Sequence, residues 1–159
     1  MPEELPDWRR KKELLWSPET PDGKRIEVGE AFARADRLSE ALDFFLCARA
    51  AENVERVLEK AVEKGDWFLF RRAREFLGGS FPERAKRLAE AAEKQGKYLF
   101  ALRAFEDVGD EASAEKVRGK LREVFADAPL LLKERVEEAP SEEAGEAEEE
   151  DPPGAKKKK

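Results

Sequence analysis

The sequence predicts an all-α protein of about seven helices, followed by a disordered acidic C-terminal tail. Apolar residues recur with the 3.6-residue period of an amphipathic helix from Ile26 to about Phe125. No run of β-branched residues alternates with polar residues, so strands are not expected. A pattern of alanine, leucine and aromatic residues returns after about thirty and sixty residues, which indicates stacked helical repeats.

Turn-forming residues divide the periodic region into seven predicted helices. The turns are predicted at Asp36, Gly65–Asp66, Gly78–Gly79, Gly96 and Gly109–Asp110. The helices between them are predicted to cover residues 25–35, 38–49, 52–64, 67–77, 82–95, 98–108 and 111–125. Upstream, "PDWRRKKELLW" is compatible with about two further helical turns capped by Asp7, before "SPETPDG" interrupts the chain.

The repeat is a helical hairpin of about thirty residues that is used three times. Ala31–Phe45 and Ala91–Phe105 carry alanine, leucine and phenylalanine at the same offsets. A third copy between them places Gly65 where the other two have Asp36 and Gly96, at spacings of 29 and 31 residues. Because a single hairpin cannot bury its apolar face, we expect the copies to stack and the seventh helix to cap the open end.

The composition argues against catalysis and metal binding. The chain has no histidine and one cysteine, so Ser–His or Cys–His pairs, zinc sites of the Cys/His type and intrachain disulfides are excluded. We expect no cofactor, no metal and no enzymatic activity. Cys47 follows Phe44, Phe45 and Leu46 in a helical pattern and is expected to be buried and unreactive.

Composition also divides the chain into four parts. These are an N-terminal basic and aromatic segment at 1–25, a helical repeat domain at 26–125, a short helical extension at 126–138 and a disordered acidic tail at 139–159 that ends in a lysine run. The net charge is −6, most of it in the tail. No apolar run has the length of a membrane span or signal peptide, so a cytoplasmic location is expected. Few Asn and Gln beside many charged residues fits either a thermophilic source or a GC-rich genome.

The hairpins resemble the tetratricopeptide repeat over residues 26–125. The family places small and aromatic residues at fixed offsets on both helices of each hairpin. The matching residues are Val28, Gly29, Phe32, Ala41, Phe45 and Ala48 in the first hairpin, and Leu88, Ala89, Ala92, Ala101, Phe105 and Val108 in the last. The middle hairpin departs, with Phe70 at the small position and Arg74 at the aromatic one. The resemblance implies a short right-handed α-solenoid that binds other proteins; an ordinary helical bundle is the alternative.

The resemblance also implies a peptide-binding groove lined by the first helix of each hairpin. Carrying the family's groove positions over gives eight acids and three bases: Glu30, Arg34, Glu52, Glu55, Glu59, Glu63, Glu83, Lys86, Glu90, Glu93 and Lys94. Such a groove suits a basic peptide or segment. The alternative is that these residues are solvated side chains with no binding role.

Two further sets of residues are candidate contact sites. The second helices of hairpins two and three carry surplus apolar residues, which predict an exposed patch for a partner or for self-association: Phe68, Leu69, Leu99 and Phe100. Burial under a terminal segment is the alternative. The N-terminal segment has three candidate docking anchors, and we expect it to occupy the acidic groove of its own chain: Trp8, Leu15 and Trp16.

The function predicted from these features is that of a non-catalytic adaptor or scaffold that binds a partner protein or peptide, with no membrane role. One alternative is an RNA-associated accessory protein. It would use the basic runs "WRRKK" and "FRRAR" together with Arg118, Lys120 and Arg122. A second alternative is a structural subunit of a larger assembly.

Overall fold

The computed structural model describes residues 5–126, and within them the chain forms eight α-helices and no strand. The helices are α1 (Trp8–Trp16), α2 (Asp22–Arg34), α3 (Leu38–Cys47), α4 (Ala51–Lys64), α5 (Trp67–Leu77), α6 (Pro82–Lys94), α7 (Tyr98–Val108) and α8 (Glu111–Ala126). The all-helical prediction is confirmed, and each of the seven predicted helices begins and ends within three residues of its predicted bounds. The predicted extension after Ala126 and the tail at 139–159 lie outside the described residues.

Three helices begin at an aspartate whose side chain caps the first turn. The carboxylates of Asp7, Asp66 and Asp110 accept hydrogen bonds from the backbone N–H three residues later, at 2.8, 3.0 and 3.1 Å. Each bond satisfies one of the N–H groups that have no partner inside the helix. At Asp110 the backbone bond from Ser113, assisted by the serine hydroxyl, lowers the pKa of the carboxyl.

The turn within each hairpin contains a left-handed residue at the predicted position. Asp36, Gly65 and Gly96 have φ angles of +60°, +58° and +72°. A second set of left-handed residues, with the same spacings of 29 and 31, ends the second helix of each hairpin: Arg49, Gly78 and Gly109. Arg49 gave no turn signal in the sequence because arginine rarely adopts this conformation. The backbone therefore repeats at both ends of the hairpin.

The helices pack chiefly with their neighbours along the chain. The hairpins are α2 with α3, α4 with α5 and α6 with α7, and α8 packs on α7. Between hairpins, α3 packs on α4 and α5, α4 packs on α6, and α5 packs on α7. Between the second and third hairpins, the first helices α4 and α6 thus pack on each other, and so do the second helices α5 and α7.

The core includes the small and aromatic residues that recur in the sequence, beside leucines and valines. Phe32, Ala41 and Ala101 are completely inaccessible to solvent, and Phe45 and Phe105 nearly so. At Gly29 a Cβ would stand 2.6 Å from Cε1 of Phe45, so the small residue lets α2 and α3 approach closely around that ring. In the middle hairpin Phe70 occupies the position of Ala41 and is equally buried.

Candidate interaction surfaces

The groove residues predicted from the sequence line two clefts between the first helices of successive hairpins. A cleft of about 470 Å³ between α2 and α4 contains Glu30, Glu55, Glu59 and Glu63. A cleft of about 340 Å³ between α4 and α6 contains Glu63, Glu90 and Lys94. The other predicted groove residues line neither cleft: Arg34, Glu52, Glu83, Lys86 and Glu93.

Most of the acids in these clefts bind a base on the next hairpin. Glu30 of α2 accepts hydrogen bonds from Asn53, at 2.6 Å, and from Arg56, both on α4. Glu55 and Glu59 of α4 contact the guanidinium of Arg84 on α6 at 2.6 and 2.8 Å. The carboxylates are therefore part of the contact between hairpins.

These pairs belong to a series of ion pairs that join successive hairpins and join the third hairpin to α8. Lys64 binds Asp36 at 2.6 Å, Arg72 binds Asp43 at 2.8 Å and Lys120 binds Glu93 at 2.7 Å. In this series the two partners stand 25–29 residues apart in the sequence, close to the length of one hairpin. Each exposed pair contributes about 0.2–1 kcal/mol, so the series supports stacking modestly.

The pair between Glu93 and Lys120 shifts the titration of both groups. The hydrogen bond from Lys120 lowers the pKa of the Glu93 carboxyl, and the same bond raises the pKa of the Lys120 ammonium. The contribution of Glu93 to stability is therefore present above its ordinary pKa of 4.5 and is lost as the pH falls through the lowered value. This bond ties α8 to α6, so acid weakens the attachment of the last helix.

The predicted acidic character is not found in the two clefts, because four of their five lining bases do not stand at the predicted groove positions. The two clefts together are lined by six acids, Glu30, Asp36, Glu55, Glu59, Glu63 and Glu90, and by five bases, Arg56, Lys60, Lys64, Arg87 and Lys94. An excess of one acid gives little attraction for a basic peptide. The spacing of opposite charges by one repeat was the signal in the sequence that could have shown this.

A different surface, formed by second helices and the last helix, exposes large apolar side chains. Phe68 of α5 and Leu99 of α7 are each 59% exposed, and Phe68 contacts the half-buried Phe100 edge-on with a centroid distance of 5.3 Å. On α8, Val124 and Phe125 are 58% and 56% exposed. We call this surface the α5–α7–α8 face; it consists of Phe68, Leu99, Phe100, Leu121, Val124 and Phe125.

One residue of the predicted patch does not belong to this face. Leu69 is only 4% exposed because its side chain points into the core of the hairpin stack. The residues that α8 adds were not predicted, since Leu121, Val124 and Phe125 had been assigned to a capping helix only. Their spacing in "LREVF", at the end of α8, was the available signal.

The N-terminal helix docks through leucines and not through its tryptophans. Leu14 and Leu15 are buried, whereas Trp8 and Trp16 are 70% and 72% exposed. The helix packs on α3, where Lys11 lies 3.5 Å from Asp43. The prediction that Trp8 and Trp16 anchor the segment in the groove is therefore wrong: α1 lies on a second helix, and none of its residues lines the two clefts.

The lone cysteine also differs from its prediction. Cys47, the last residue of α3, is exposed, whereas Phe44 and Phe45 in the same turn are buried. Among residues 5–126, no group of three His, Cys, Asp or Glu side chains is close enough together to hold a metal ion. In the same range, no helix combines the length and the apolar character needed to cross a membrane.

Comparison with known proteins returns no family model, no curated protein and no solved structure that matches this chain. The surfaces themselves are therefore the basis for inferring a function.

Proposed function

We propose that this protein is a non-catalytic interaction module, a tetratricopeptide-like α-solenoid that acts as an adaptor by binding a partner protein on its α5–α7–α8 face. The solenoid is supported by hairpins that pack on their successors and by turns that recur at 29 and 31 residues. The small and aromatic residues that match the tetratricopeptide pattern are buried, as close packing of the helices requires.

The observation that carries the proposal is the exposure of large apolar side chains on three neighbouring helices, α5, α7 and α8. Scattered exposed apolar residues are normal on a soluble protein, but contiguous ones mark interaction sites. Phe68, Leu99 and Phe100 line one cleft of about 570 Å³, and Leu99 and Phe100 also line a second, of about 290 Å³, with Val124 and Phe125. Because two side chains belong to both clefts, the face is continuous from α5 to α8.

Site-specific photocrosslinking tests this function in the full-length protein. A benzoylphenylalanine at position 68 or 99 is expected to crosslink a defined partner in a lysate of the source organism. The same group in place of Glu27, an exposed residue of α2, is the control and should not capture that partner. Adding Leu99→Ser to the position-68 variant should abolish the crosslink. Equal capture from positions 68 and 27 would contradict binding at this face.

RNA binding is a second candidate function, and the exposure of Trp8 and Trp16 favours it. Both indoles are free to stack on bases, and Arg9 lies over the Trp8 ring at 5.4 Å. Most of the other cations considered for this role are engaged by carboxylates: Arg72 by Asp43, Arg74 by Asp107, Arg118 by three glutamates, Lys120 by Glu93 and Arg122 by Glu115. Arg71 pairs with no carboxylate of the described residues, but its guanidinium lies over the Trp67 ring. The candidate site is thus centred on α1.

If α1 binds RNA, a labelled single-stranded oligonucleotide should bind at low salt and lose affinity steeply as salt increases. Trp8→Ala combined with Trp16→Ala should reduce this affinity at least about tenfold, because stacking on each aromatic contributes about 1–3 kcal/mol. Fluorescence anisotropy measures both effects. Unchanged affinity in the double variant would remove RNA binding by α1 from consideration.

A further inference from the structure

The α5–α7–α8 face has a basic rim. The two clefts that form it are lined by Arg71 and Arg103 on one side and by Lys97 on the other. Two acids also line the larger cleft, Glu106 and Asp107. The balance of charge at the rim depends on which of these groups are already paired within the protein.

The two acids at the rim are engaged by groups of the protein itself. Glu106 contacts Arg103 at 3.2 Å and Arg118 at 2.9 Å. Asp107 accepts a hydrogen bond from the indole N–H of Trp67 at 3.1 Å and lies 3.3 Å from Arg74. Neither carboxylate therefore offers an unpartnered charge to a ligand.

Two of the bases, by contrast, have no carboxylate within ion-pair distance in the described part of the chain. The guanidinium of Arg71 lies over the Trp67 ring at 5.3 Å. The Lys97 ammonium donates to the backbone carbonyl of Lys64 at 2.5 Å. Within residues 5–126 no carboxylate neutralises either charge, so a ligand on the face meets apolar side chains flanked by cations.

The shape of the face suits a single helix. Its apolar side chains line two adjoining clefts that share Leu99 and Phe100. An amphipathic helix is an element that lays one apolar stripe into such a groove. A two-fold contact between copies of this chain would bring Arg71 and Lys97 of both copies into the same interface, and this adds positive charge to both sides of the contact.

We propose that the α5–α7–α8 face binds an amphipathic α-helix of a partner protein that carries aspartate or glutamate beside its apolar stripe. The inference rests on the proposed function and specifies the partner. The apolar residues of such a helix, spaced at i, i+3, i+4 and i+7, fit beside Phe68, Leu99 and Phe100. Its acids then meet Arg71 and Lys97, which selects against helices with basic flanks.

Two labelled synthetic peptides of about 18 residues test the proposal with the full-length protein. Both carry the same leucine stripe; one has glutamate and the other lysine at the flanking positions. At low salt the glutamate peptide is expected to bind at least about tenfold more tightly in fluorescence anisotropy, and the difference should largely vanish at about 0.5 M salt. Phe68→Ser with Leu99→Ser should abolish binding of the glutamate peptide.

The bases of the rim are tested by a matched pair of double variants. Arg71→Gln with Lys97→Gln should lower the affinity of the glutamate peptide to that of the lysine peptide. Lys86→Gln with Lys94→Gln removes two exposed bases of α6 that line neither cleft of the face, and should leave the affinity unchanged. Thermal melts followed by circular dichroism establish that all variants are folded; the substituted side chains are exposed or half-buried.

Three results would overturn the proposal. If both peptides bind equally and the serine variant loses both, the face is a docking site but does not select acidic helices. If neither peptide binds more tightly than about 1 mM, the face does not take a helix. If the protein sediments as a dimer and Phe68→Ser with Leu99→Ser makes it a monomer, the occupant is a second copy of this chain.

Discussion

Gly65→Ala is expected to lower the free energy of unfolding by about 2–4 kcal/mol. This is a larger loss than we expect from Gly→Ala at the other left-handed turns. Gly65 has a φ angle of +58°, which costs an alanine about 1–2 kcal/mol. In addition, a Cβ at this position would stand 2.6 Å from the backbone N and Cα of Ala92 on α6. Since backbone atoms cannot move aside like a side chain, α4 and α6 would be forced apart. Urea denaturation of the unchanged protein and of the Gly65→Ala variant measures the difference in the free energy of unfolding.

Gly96→Ala is the matched control for this prediction. Gly96 occupies the corresponding turn of the third hairpin with a φ angle of +72°, and no atom lies within 4 Å of its virtual Cβ. It therefore isolates the conformational cost, which is partly offset because alanine also restricts the unfolded chain. We expect a loss of about 1 kcal/mol. Equal losses for the two variants would show that α4 and α6 do not approach as closely as described.

Phe70→Ala is expected to cost about 3–5 kcal/mol, since the ring is completely buried and its removal leaves a cavity. Phe70 stands at the position where the other two hairpins have Ala41 and Ala101. In the first and third hairpins the alanine lets the two helices pack closely. In the middle hairpin the ring of Phe70 fills the space between the helices instead. Thermal and urea unfolding should both show the loss.

Phe68→Ala, two residues earlier on the same helix, is the control. Its side chain is 59% exposed and makes edge-type contacts with the rings of Trp67 and Phe100, so less than about 1 kcal/mol should be lost. Under the proposed function this variant loses partner binding while it keeps its stability. A loss of stability as large as that of Phe70→Ala would mean that Phe68 belongs to the core and not to a docking face.

Local chemistry explains why the helices could be predicted from the sequence. Asp66 and Asp110 cap helices through their own side chains, and Gly65, Gly96 and Gly109 adopt the left-handed conformation that ends a helix. These interactions span only a few residues, so they are present in the sequence pattern itself. The turns inside the hairpins were predictable for the same reason, because aspartate and glycine stand at regular spacings along the chain.

The charge of the groove could not be predicted in this way. Glu55 and Glu59 were identified as groove acids, but their partner Arg84 is on the next hairpin. A count of charges along first-helix positions does not show which carboxylates are paired, since pairing depends on how far one hairpin is rotated against the next. Five of the eight predicted acids line the two clefts, and the tertiary structure sets Asp36 and five bases beside them, which leaves the clefts nearly neutral.

The sequence by itself determined the helices, their turns and most of the residues of the core, because helix periodicity and capping act over one or two turns. The tertiary structure alone decided which apolar residues remain at the surface. In "WFLF" it buries Leu69 and Phe70 and exposes Phe68, and on α1 it buries Leu14 and Leu15 and exposes Trp8 and Trp16. An amphipathic pattern gives a helix one apolar side, but the width of the side that becomes covered depends on how many neighbouring helices pack against it.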